Sequence, residues 1–409
     1  MPTRRLYYYD SFEREFEAQV LSCEPAVVAA GLTPPVWSVV LNRTLFYPTS
    51  GGQPHDVGRL GSAGVLDVRE EEDDEIIHVI DSPLELGSVR GCIDWGRRLD
   101  HMQQHTGQHL LSAIFHERFG RPTVSFHLGS ETSTIDLRGP EPSEEIREGA
   151  ERAANEVIFE DRPVTVRYGA AEQLAQIGVR KEVDRAGILR AIEIEGADLQ
   201  PCGGTHVKHT AQIGLLLLRR CTRIRQDWRV EFVCGRRAER TARADFQRLR
   251  QVAAKLDCAP EVAAEAVERI ISDRNASFKK ALDFSGRLAE AEAALILLKH
   301  PPGRGGVRLV VRSLDSASAE YLGHFAARLA KEEKTAVVLI SKEEGHMVFA
   351  QHPSSGIDMN ALLKQVLDKT GGKGGGTRDF ARGRLSDASQ AERALSTARD
   401  ILQSQGFEV

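Results

Sequence analysis

Apolar and polar positions alternate over short stretches in the first part of the chain, whereas most of the remainder shows the longer spacing of helices. Short β-like runs occur at Trp37–Leu41, 64–68 and Ile76–Ile80, separated by glycine, proline and acidic turns. Residues 70–75 are consecutive acids, which suit the tip of a hairpin. These patterns predict a small β-barrel over residues 1–95.

The stretch that follows predicts a core of mixed helices and strands. Asp100 suits the N-cap of an amphipathic helix that continues to residue 119, where Gly120 ends it. Ser143 suits the cap of a second helix, and Thr123–Leu128 is one of several runs that alternate as strands. Antiparallel strands combined with long helices indicate the α+β class.

The second half of the chain is helical at first and then mixed. Residues 236–300 are strongly helical with a break near Pro260, where proline should start a second helix, and this predicts a helical hairpin that acts as a spacer. Further on, β and α patterns alternate and predict a C-terminal α/β domain. The predicted domains are a barrel (1–95), an α+β core (96–235), a helical spacer (236–300) and a C-terminal domain (301–409).

Two pairs of residues in the core suggest a metal site. His105 and His109 are four apart, which places both imidazoles on one face of a helix. Cys202 and His206 flank a pair of glycines, which suits a tight turn that brings thiolate and imidazole together. Thiolate with imidazoles is the ligand set that Zn(II) prefers over magnesium or calcium. The sequence therefore predicts a zinc site.

His101 competes for the same role, since it lies one turn before His105 on the same helix face. We favour His105 and His109 because Leu110 and Leu111 follow them and anchor that turn to a core. His101 is expected to lie outward beside the N-cap, with solvent as its partner. The motif is not that of a zincin, because no glutamate follows its first histidine.

Charge is unevenly distributed along the 409 residues, whose net charge is −5. Eleven arginines and four acids lie between positions 219 and 250. Such a basic stripe is typical of nucleic-acid contact, although a solvated helix face is the alternative. No apolar run approaches the ~20 residues that a membrane span needs. Six scattered cysteines favour a reducing compartment, so we expect a cytoplasmic protein with no membrane partner.

These motifs carry a family resemblance. H-T-G-Q-H-L-L together with C-G-G-T-H-V resembles the editing domain of alanyl-tRNA synthetase and its freestanding relatives, the AlaX trans-editing proteins. The S-G-G-Q-x-x-D-x-G loop that begins at Ser50 is similar to one in the domain before that editing core. The glycine-rich segment 371–376 resembles part of the DHH-associated domain that ends the synthetase. The order of segments is similar to the long AlaX form.

The resemblance implies a trans-editing hydrolase. Its substrate would be tRNA(Ala) misacylated with serine, and also with glycine, and its site would hold one Zn(II) per chain on His105, His109, Cys202 and His206. Four protein ligands close the usual zinc shell. Either one ligand stays away, or the shell expands, or the ion orders the pocket.

Serine differs from alanine by a hydroxyl, which a pocket recognises only by hydrogen bonding to it. The residue that would do so is left open among Thr44, Thr123 and Ser125.

The resemblance also assigns substrate and tRNA contacts. His127 stands where the synthetases carry a polar pocket residue, and Gln108 and Thr205 are further candidates for the catalytic pocket. The glycines of 371–376 would form either a flexible loop or a nest of N–H groups for RNA phosphates. The expected tRNA-binding residues are Gly51, Gly52, Gln53, Arg236, Arg240, Arg243, Lys373 and Arg378.

Three alternatives remain open at this point. The chain would be a non-catalytic tRNA-binding protein in which zinc is structural, or a deacylase of Ser-tRNA(Thr). Independently of the activity, the C-terminal half would serve homodimer formation rather than tRNA binding.

Overall fold

The computed structural model describes residues 2–26, 35–71, 74–176, 178–180, 187–303 and 306–408. Two compact units make up the chain, Met1–Arg250 and Gln251–Val409. The predicted division into four domains is finer than this and stays a prediction.

A closed β-barrel occupies the start of the first unit. Its region contains β1 (Arg4–Arg5), β2 (Glu15–Pro25), β3 (Trp37–Leu41), β4 (Arg43–Thr44), β5 (Gly58–Leu60), β6 (Ala63–Glu70), β7 (Ile76–Ile80) and β8 (Gly87–Ile93). Six of these close in the order β2-β3-β7-β6-β5-β8. Alternate residues of β2 (Phe16, Ala18 and Val20) are buried in its core, as the period of two requires. The predicted barrel is confirmed, and β6 and β7 pair around the acidic run, of which residues 72 and 73 lie outside the described residues.

Helix α1 (Trp95–Phe119) follows the barrel directly. The side chain of Asp94 caps it by accepting from the backbone N–H of Arg97, and Gly120 ends it with φ of 63°. The predicted end is confirmed, but the predicted start at Asp100 is wrong. The first turns carry charged residues that look solvent-facing in the sequence, whereas Arg98 among them is fully buried.

His101 also differs from the prediction. It is buried rather than turned to solvent, and burial lowers its pKa to about 4.

A buried ion pair attaches α1 to the barrel. The guanidinium of Arg98 lies 2.6 Å from the carboxylate of Asp56, and neither side chain is exposed. The same guanidinium donates to the carbonyl oxygens of Ser11 and Leu45, while Asp56 accepts from the backbone N–H of Tyr47. Because Asp56 ends the S-G-G-Q loop, this pair fixes that loop against the start of α1.

The α+β core surrounds α1. Its remaining elements are β9 (Thr123–Leu128), β10 (Ser133–Leu137), α2 (Glu144–Phe159), β11 (Val164–Ala170), α3 (Ala171–Gln176), β12 (Ile188–Ile194), β13 (Asp198–Pro201), β14 (Leu216–Ile224) and β15 (Asp227–Cys234). Two antiparallel sheets have the orders β14-β15-β10-β9 and β11-β12-β13. Apolar residues of α1, α2 and both sheets share one hydrophobic core, and Ser143 caps α2 as predicted. The α+β class is confirmed.

Two long helices follow the core. These are α4 (Gly235–Lys255) and α5 (Ala263–Lys299). The break predicted near Pro260 is confirmed, although Pro260 begins a short 3-10 turn and α5 starts three residues later. Their arrangement as a hairpin spacer stays a prediction. None of the helices in the described part of the chain is long and apolar enough to span a membrane.

The second unit contains a mixed sheet with helices. Its elements are β16 (Arg308–Leu314), α6 (Ala319–Leu329), β17 (Thr335–Ser341), β18 (His346–Gln351), α7 (Met359–Thr370), β19 (Gly372–Gly376), β20 (Phe380–Leu385) and α8 (Ala391–Ser404). The strand order is β16-β17-β18-β20-β19, with β16 and β17 parallel and the other neighbours antiparallel.

The glycine run differs from both predicted forms. It is neither a flexible loop nor a nest but the edge strand β19, paired with β20. A Cβ at Gly374 would lie 2.6 Å from the carbonyl oxygen of Arg382, so that this close approach requires glycine. The sequence pattern missed this strand because glycine has no β propensity of its own.

Candidate metal centre

Two elements bring four candidate ligands together. His105 and His109 project from α1, and their ring centroids are 5.2 Å apart. Cys202 and His206 lie on the loop that follows β13. A side chain at Gly204 would collide with the ring of His105, which explains why a glycine stands between the two ligands of this loop.

Arg190 of β12 holds the same loop in place through hydrogen bonds. Its guanidinium donates to the carbonyl oxygens of Cys202, at 2.6 Å, and of Gly204, at 3.0 Å. The loop backbone is therefore held by a side chain from the neighbouring strand rather than by its own turn alone.

The ligand atoms have the spacing of a filled metal shell. One ligand atom from each of His105, His109, Cys202 and His206 lies within 4.8 Å of the others. The Sγ of Cys202 is 3.5 Å from the Nε2 of His105 and 3.3 Å from that of His206. A tetrahedral zinc with its usual bond lengths would separate sulfur and nitrogen by roughly 3.5 Å. The donor set and the spacing both fit zinc.

Each histidine is oriented through its other ring nitrogen. The Nδ1 of His105 is 2.8 Å from the amide oxygen of Gln53, and that of His206 is 3.1 Å from the hydroxyl of Thr106. The Nδ1 of His109 is 3.1 Å from the carboxylate of Asp198. With Nδ1 engaged, Nε2 is the nitrogen available to an ion, as in metal sites whose ligands are held by a second layer of hydrogen bonds.

Asp198 is the acidic group of this second layer. It is buried, and Arg180 pairs with it at 2.7 Å. Burial alone would raise the pKa of Asp198, but the hydrogen bonds to His109 and Arg180 outweigh it and lower that pKa. The carboxylate in turn raises the pKa of His109 against the effect of burial. Asp198 is therefore a charged acceptor that fixes the ring of His109.

The electrostatics favour a thiolate at Cys202. Burial opposes it, yet the adjacent rings of His105 and His206 lower the pKa of Cys202 well below its ordinary value. Burial lowers the pKa of His206 to about 3, which keeps its imidazole neutral. Thiolate and neutral imidazole are the forms that bind a metal ion, so binding would also release the proton that the raised pKa of His109 favours.

A cavity of about 510 Å³ opens beside the cluster. His105, His109 and Cys202 lie on its wall, so the candidate ion position borders open space. Gly51 and Gly52 of the barrel loop form another side. Further lining residues are Gln108 on α1, Thr123, Val124, Ser125 and Phe126 on β9, and Arg180 and Gln200.

Comparison with known proteins identifies the family. Residues 189–229 match the threonyl and alanyl tRNA synthetase second additional domain, and residues 306–404 match the DHHA1 domain. The alanyl-tRNA editing protein AlaX-L of Pyrococcus horikoshii is 30% identical, with 98% of each chain covered. The chain belongs to the alanyl-tRNA editing protein family. The resemblance carried by the sequence motifs is thus confirmed.

Other relatives agree with this membership. The alanyl-tRNA editing protein Aarsd1 of Mus musculus is 30% identical over 98% of both chains. The alanine–tRNA ligase of Pyrococcus abyssi is 33% identical over 98% of this chain, which corresponds to 44% of the ligase.

The three predicted pocket residues differ in where they lie relative to the cavity. Gln108 lines the cavity, whereas Thr205 is fully buried and accepts from the amide of Gln53. His127 is exposed on β9, pairs with Thr134 of β10 and does not line the cavity. Its contact with substrate stays a prediction.

The predicted tRNA contacts also differ in their surroundings. Gly51 and Gly52 border the cavity, but the side chain of Gln53 is fully buried and engaged with His105 and Thr205. Gln53 is therefore placed to orient a candidate ligand, and its contact with RNA stays a prediction. The remaining five residues are exposed: Arg236, Arg240 and Arg243 on α4, Lys373 on β19 and Arg378 beyond it.

Sequence reasoning missed the residues that orient the ligands. Thr106 lies inside the H-T-G-Q-H motif, where the spacing drew attention only to the histidines. A carboxylate four positions before Cys202 was the available signal for Asp198. Nothing in the sequence marks Arg180 or Arg190, because their partners are distant along the chain.

The metal centre generates a prediction about affinity. One zinc should bind per chain, and Cys202→Ala or His109→Ala should abolish binding. Asp198→Asn keeps all four ligands but removes the charge behind His109, so zinc affinity should fall about 10–100-fold. Competition with a chromophoric chelator measures this, and Asp283→Asn, an exposed change on α5, should bind as the unaltered protein does. Full zinc occupancy in both ligand variants would contradict the assignment.

Proposed function

We propose that this protein hydrolyses the ester that joins serine to the 3′-terminal ribose of tRNA(Ala), with glycine as a second substrate. It would thus act in trans as a carboxylic ester hydrolase. The observation that carries the proposal is the four-ligand cluster on the wall of a 510 Å³ cavity. Two relatives that match this chain over 98% of both sequences are named as alanyl-tRNA editing proteins.

Zinc would be held by His105, His109, Cys202 and His206. When bound, it would supply Lewis acidity at the cavity wall, where an ester carbonyl or a water molecule is polarised. The protein's own part is orientation: Gln53, Thr106 and Asp198 hold the three imidazoles in one tautomer. His206 does not line the cavity, so substrate would approach from the side of the other three residues.

Gln108, which lines the cavity, carries a side-chain acceptor that would suit the hydroxyl of serine. The amide nitrogen of Gln108 donates to the hydroxyl of Ser112, and Thr123 donates to the same oxygen, each at 2.9 Å. The carbonyl oxygen of Gln108 is buried and has no hydrogen-bond partner among the described residues. A buried acceptor left unpaired costs about 1–3 kcal/mol, which a seryl hydroxyl removes and an alanyl methyl does not.

The three hydroxyls considered from sequence are not equivalent. Thr44 is fully buried, bonds to His78 and does not line the cavity. Ser125 lines the cavity but donates to Asp136. Thr123 lines the cavity beside Gln108 and shares its network through Ser112. We therefore assign recognition of the seryl hydroxyl to Thr123 and Gln108.

Exposed basic residues on both units would bind the body of the tRNA. Arg236, Arg240 and Arg243 lie along one helix, and in the first unit Arg229 and Arg237 of the same stripe are instead paired with Asp136 and Asp100. Arg236, Arg240 and Arg243 have no ion pair with any residue that the structure describes, so phosphate contact is assigned to these three. Homodimer formation through the C-terminal half stays open, because α5 also carries exposed apolar residues such as Phe278 and Phe284.

Deacylation is the direct test of the activity. Zinc-loaded protein should release serine from Ser-tRNA(Ala) well above the spontaneous rate, should leave Ala-tRNA(Ala) intact, and should lose activity with a chelator. Ser-tRNA(Thr) is the matched control for choice of tRNA. Hydrolysis at the spontaneous rate would favour the non-catalytic tRNA-binding alternative, in which the zinc is structural.

Thr123→Val tests how serine is recognised. Valine keeps the shape but removes the hydroxyl, so kcat/KM for Ser-tRNA(Ala) should fall roughly tenfold, while that for Gly-tRNA(Ala) should change little. Thr222→Val, an exposed change on β14, should alter neither value. An equal loss on both substrates would show that Thr123 does not discriminate by the hydroxyl.

A further inference from the structure

A second depression adjoins the cavity of the metal cluster. It is a groove of about 1020 Å³, formed by the first residues of the chain, the β11–β12 region and the loop that carries Cys202. Ser50, Pro201, Cys202 and Gly203 line both the groove and the cavity. An elongated ligand that occupied the groove would therefore reach the cavity without crossing another part of the protein.

Exposed tyrosines distinguish this groove. Tyr9 is 71% exposed and Tyr168 is 56% exposed, and both line it together with Tyr8. The neighbouring Tyr7, by contrast, is a packing residue. It is 1% exposed and lies edge-on against Tyr8 and Tyr47. Flat aromatic faces left open to solvent are suited to stacking with a planar ligand.

Arginines accompany these rings. The guanidinium of Arg4 lies 5.2 Å from the ring centroid of Tyr9, and that of Arg190 lies 5.2 Å from the ring of Tyr8. Arg5 is neutralised by Glu70 and Asp74. Arg4 and Arg190 have no ion pair among the described residues, and the Nε of Arg190 is buried without a hydrogen-bond partner there. Three arginines thus face two carboxylates in the lining of the groove, which leaves it with a net positive charge beside the aromatic faces.

We propose that this groove binds the single-stranded 3′ end of the tRNA. The inference rests on the proposed function and extends it by assigning the path along which the terminal nucleotide enters the cavity. Bases of the strand stack on Tyr9 and Tyr168, and Arg4 meets the phosphates between them. Aromatic faces with arginines form the usual platform for single-stranded nucleic acid. They bind bases by stacking, which does not depend on the identity of the base.

The assignment explains why the groove and the cavity share the Cys202 loop. Arg190 holds the carbonyl oxygens of Cys202 and Gly204 while its guanidinium also lies over Tyr8. A strand in the groove would therefore lie against the side chain that fixes a candidate metal ligand. Arg190 thus contacts both an aromatic residue of the groove and the loop that carries the candidate ligands.

Binding is tested with full-length protein and a fluorescein-labelled RNA minihelix that carries the single-stranded 3′ end of tRNA(Ala). The comparison probe is the same minihelix without its single-stranded nucleotides. The double change Arg4→Ala with Tyr168→Ala should weaken binding of the first probe about tenfold or more and leave that of the blunt probe unchanged. Tyr168→Phe keeps the ring and should bind as the unaltered protein does.

The matched control is Arg152→Ala with Phe159→Ala, an exposed pair on α2 outside the groove. It should bind both probes normally. If the groove variant binds the single-stranded end as tightly as this control, the proposal is overturned. It is also overturned if unaltered protein does not distinguish the two probes.

A kinetic arm separates this inference from the proposed function. The groove variant should raise KM for Ser-tRNA(Ala) but leave kcat/KM for seryl-adenosine ester unchanged, because that ester lacks the strand. If neither the unaltered protein nor the groove variant hydrolyses either ester, but the two still differ in binding the single-stranded end, the proposed activity fails and the groove assignment stands. An equal loss on both esters would overturn the groove assignment.

Discussion

The hydrogen bonds to the three Nδ1 atoms are the constraint on which the site depends. They turn the Nε2 atoms of His105 and His206 to within 3.5 Å of the sulfur of Cys202. The partners come from different parts of the first unit: Gln53 from the barrel loop, Thr106 from α1 and Asp198 from β13. A metal site built in this way is complete only when barrel, helix and sheet are folded together.

This dependence gives the barrel a role in the candidate metal centre. The buried pair of Arg98 and Asp56 fixes the S-G-G-Q loop against α1, and the loop then presents Gln53 to His105. Gly52 lets the same loop approach the ring of Phe126 on β9, where a side chain would collide. The barrel thus forms one wall of the cavity and orients one ligand of the proposed ion.

Periodicity predicted the barrel and the α+β class, and short motifs predicted the four clustered residues, because alternation, i,i+4 spacing and the Gly-Gly turn are local properties of the sequence. The start of α1 and the burial of His101 were predicted wrongly. The charged residue Arg98 in the first turns of α1 is buried because it pairs with Asp56, which lies 42 residues away in the sequence. Arg180 and Arg190 act on residues that are distant along the chain, which no local pattern contains, whereas the position of Asp198 shortly before Cys202 was a local signal that was not used. The strand β19 was missed because its glycines serve close backbone approach rather than propensity.

The central claim is that one sulfur and three nitrogens, oriented by this second layer, hold the ion beside the cavity. X-ray absorption at the zinc edge, on the full chain loaded with a single equivalent of zinc, tests it most directly. The predicted shell has one sulfur at about 2.3 Å and three nitrogens at about 2.0–2.1 Å. A shell that contains no sulfur, or mainly oxygen ligands, would contradict the account.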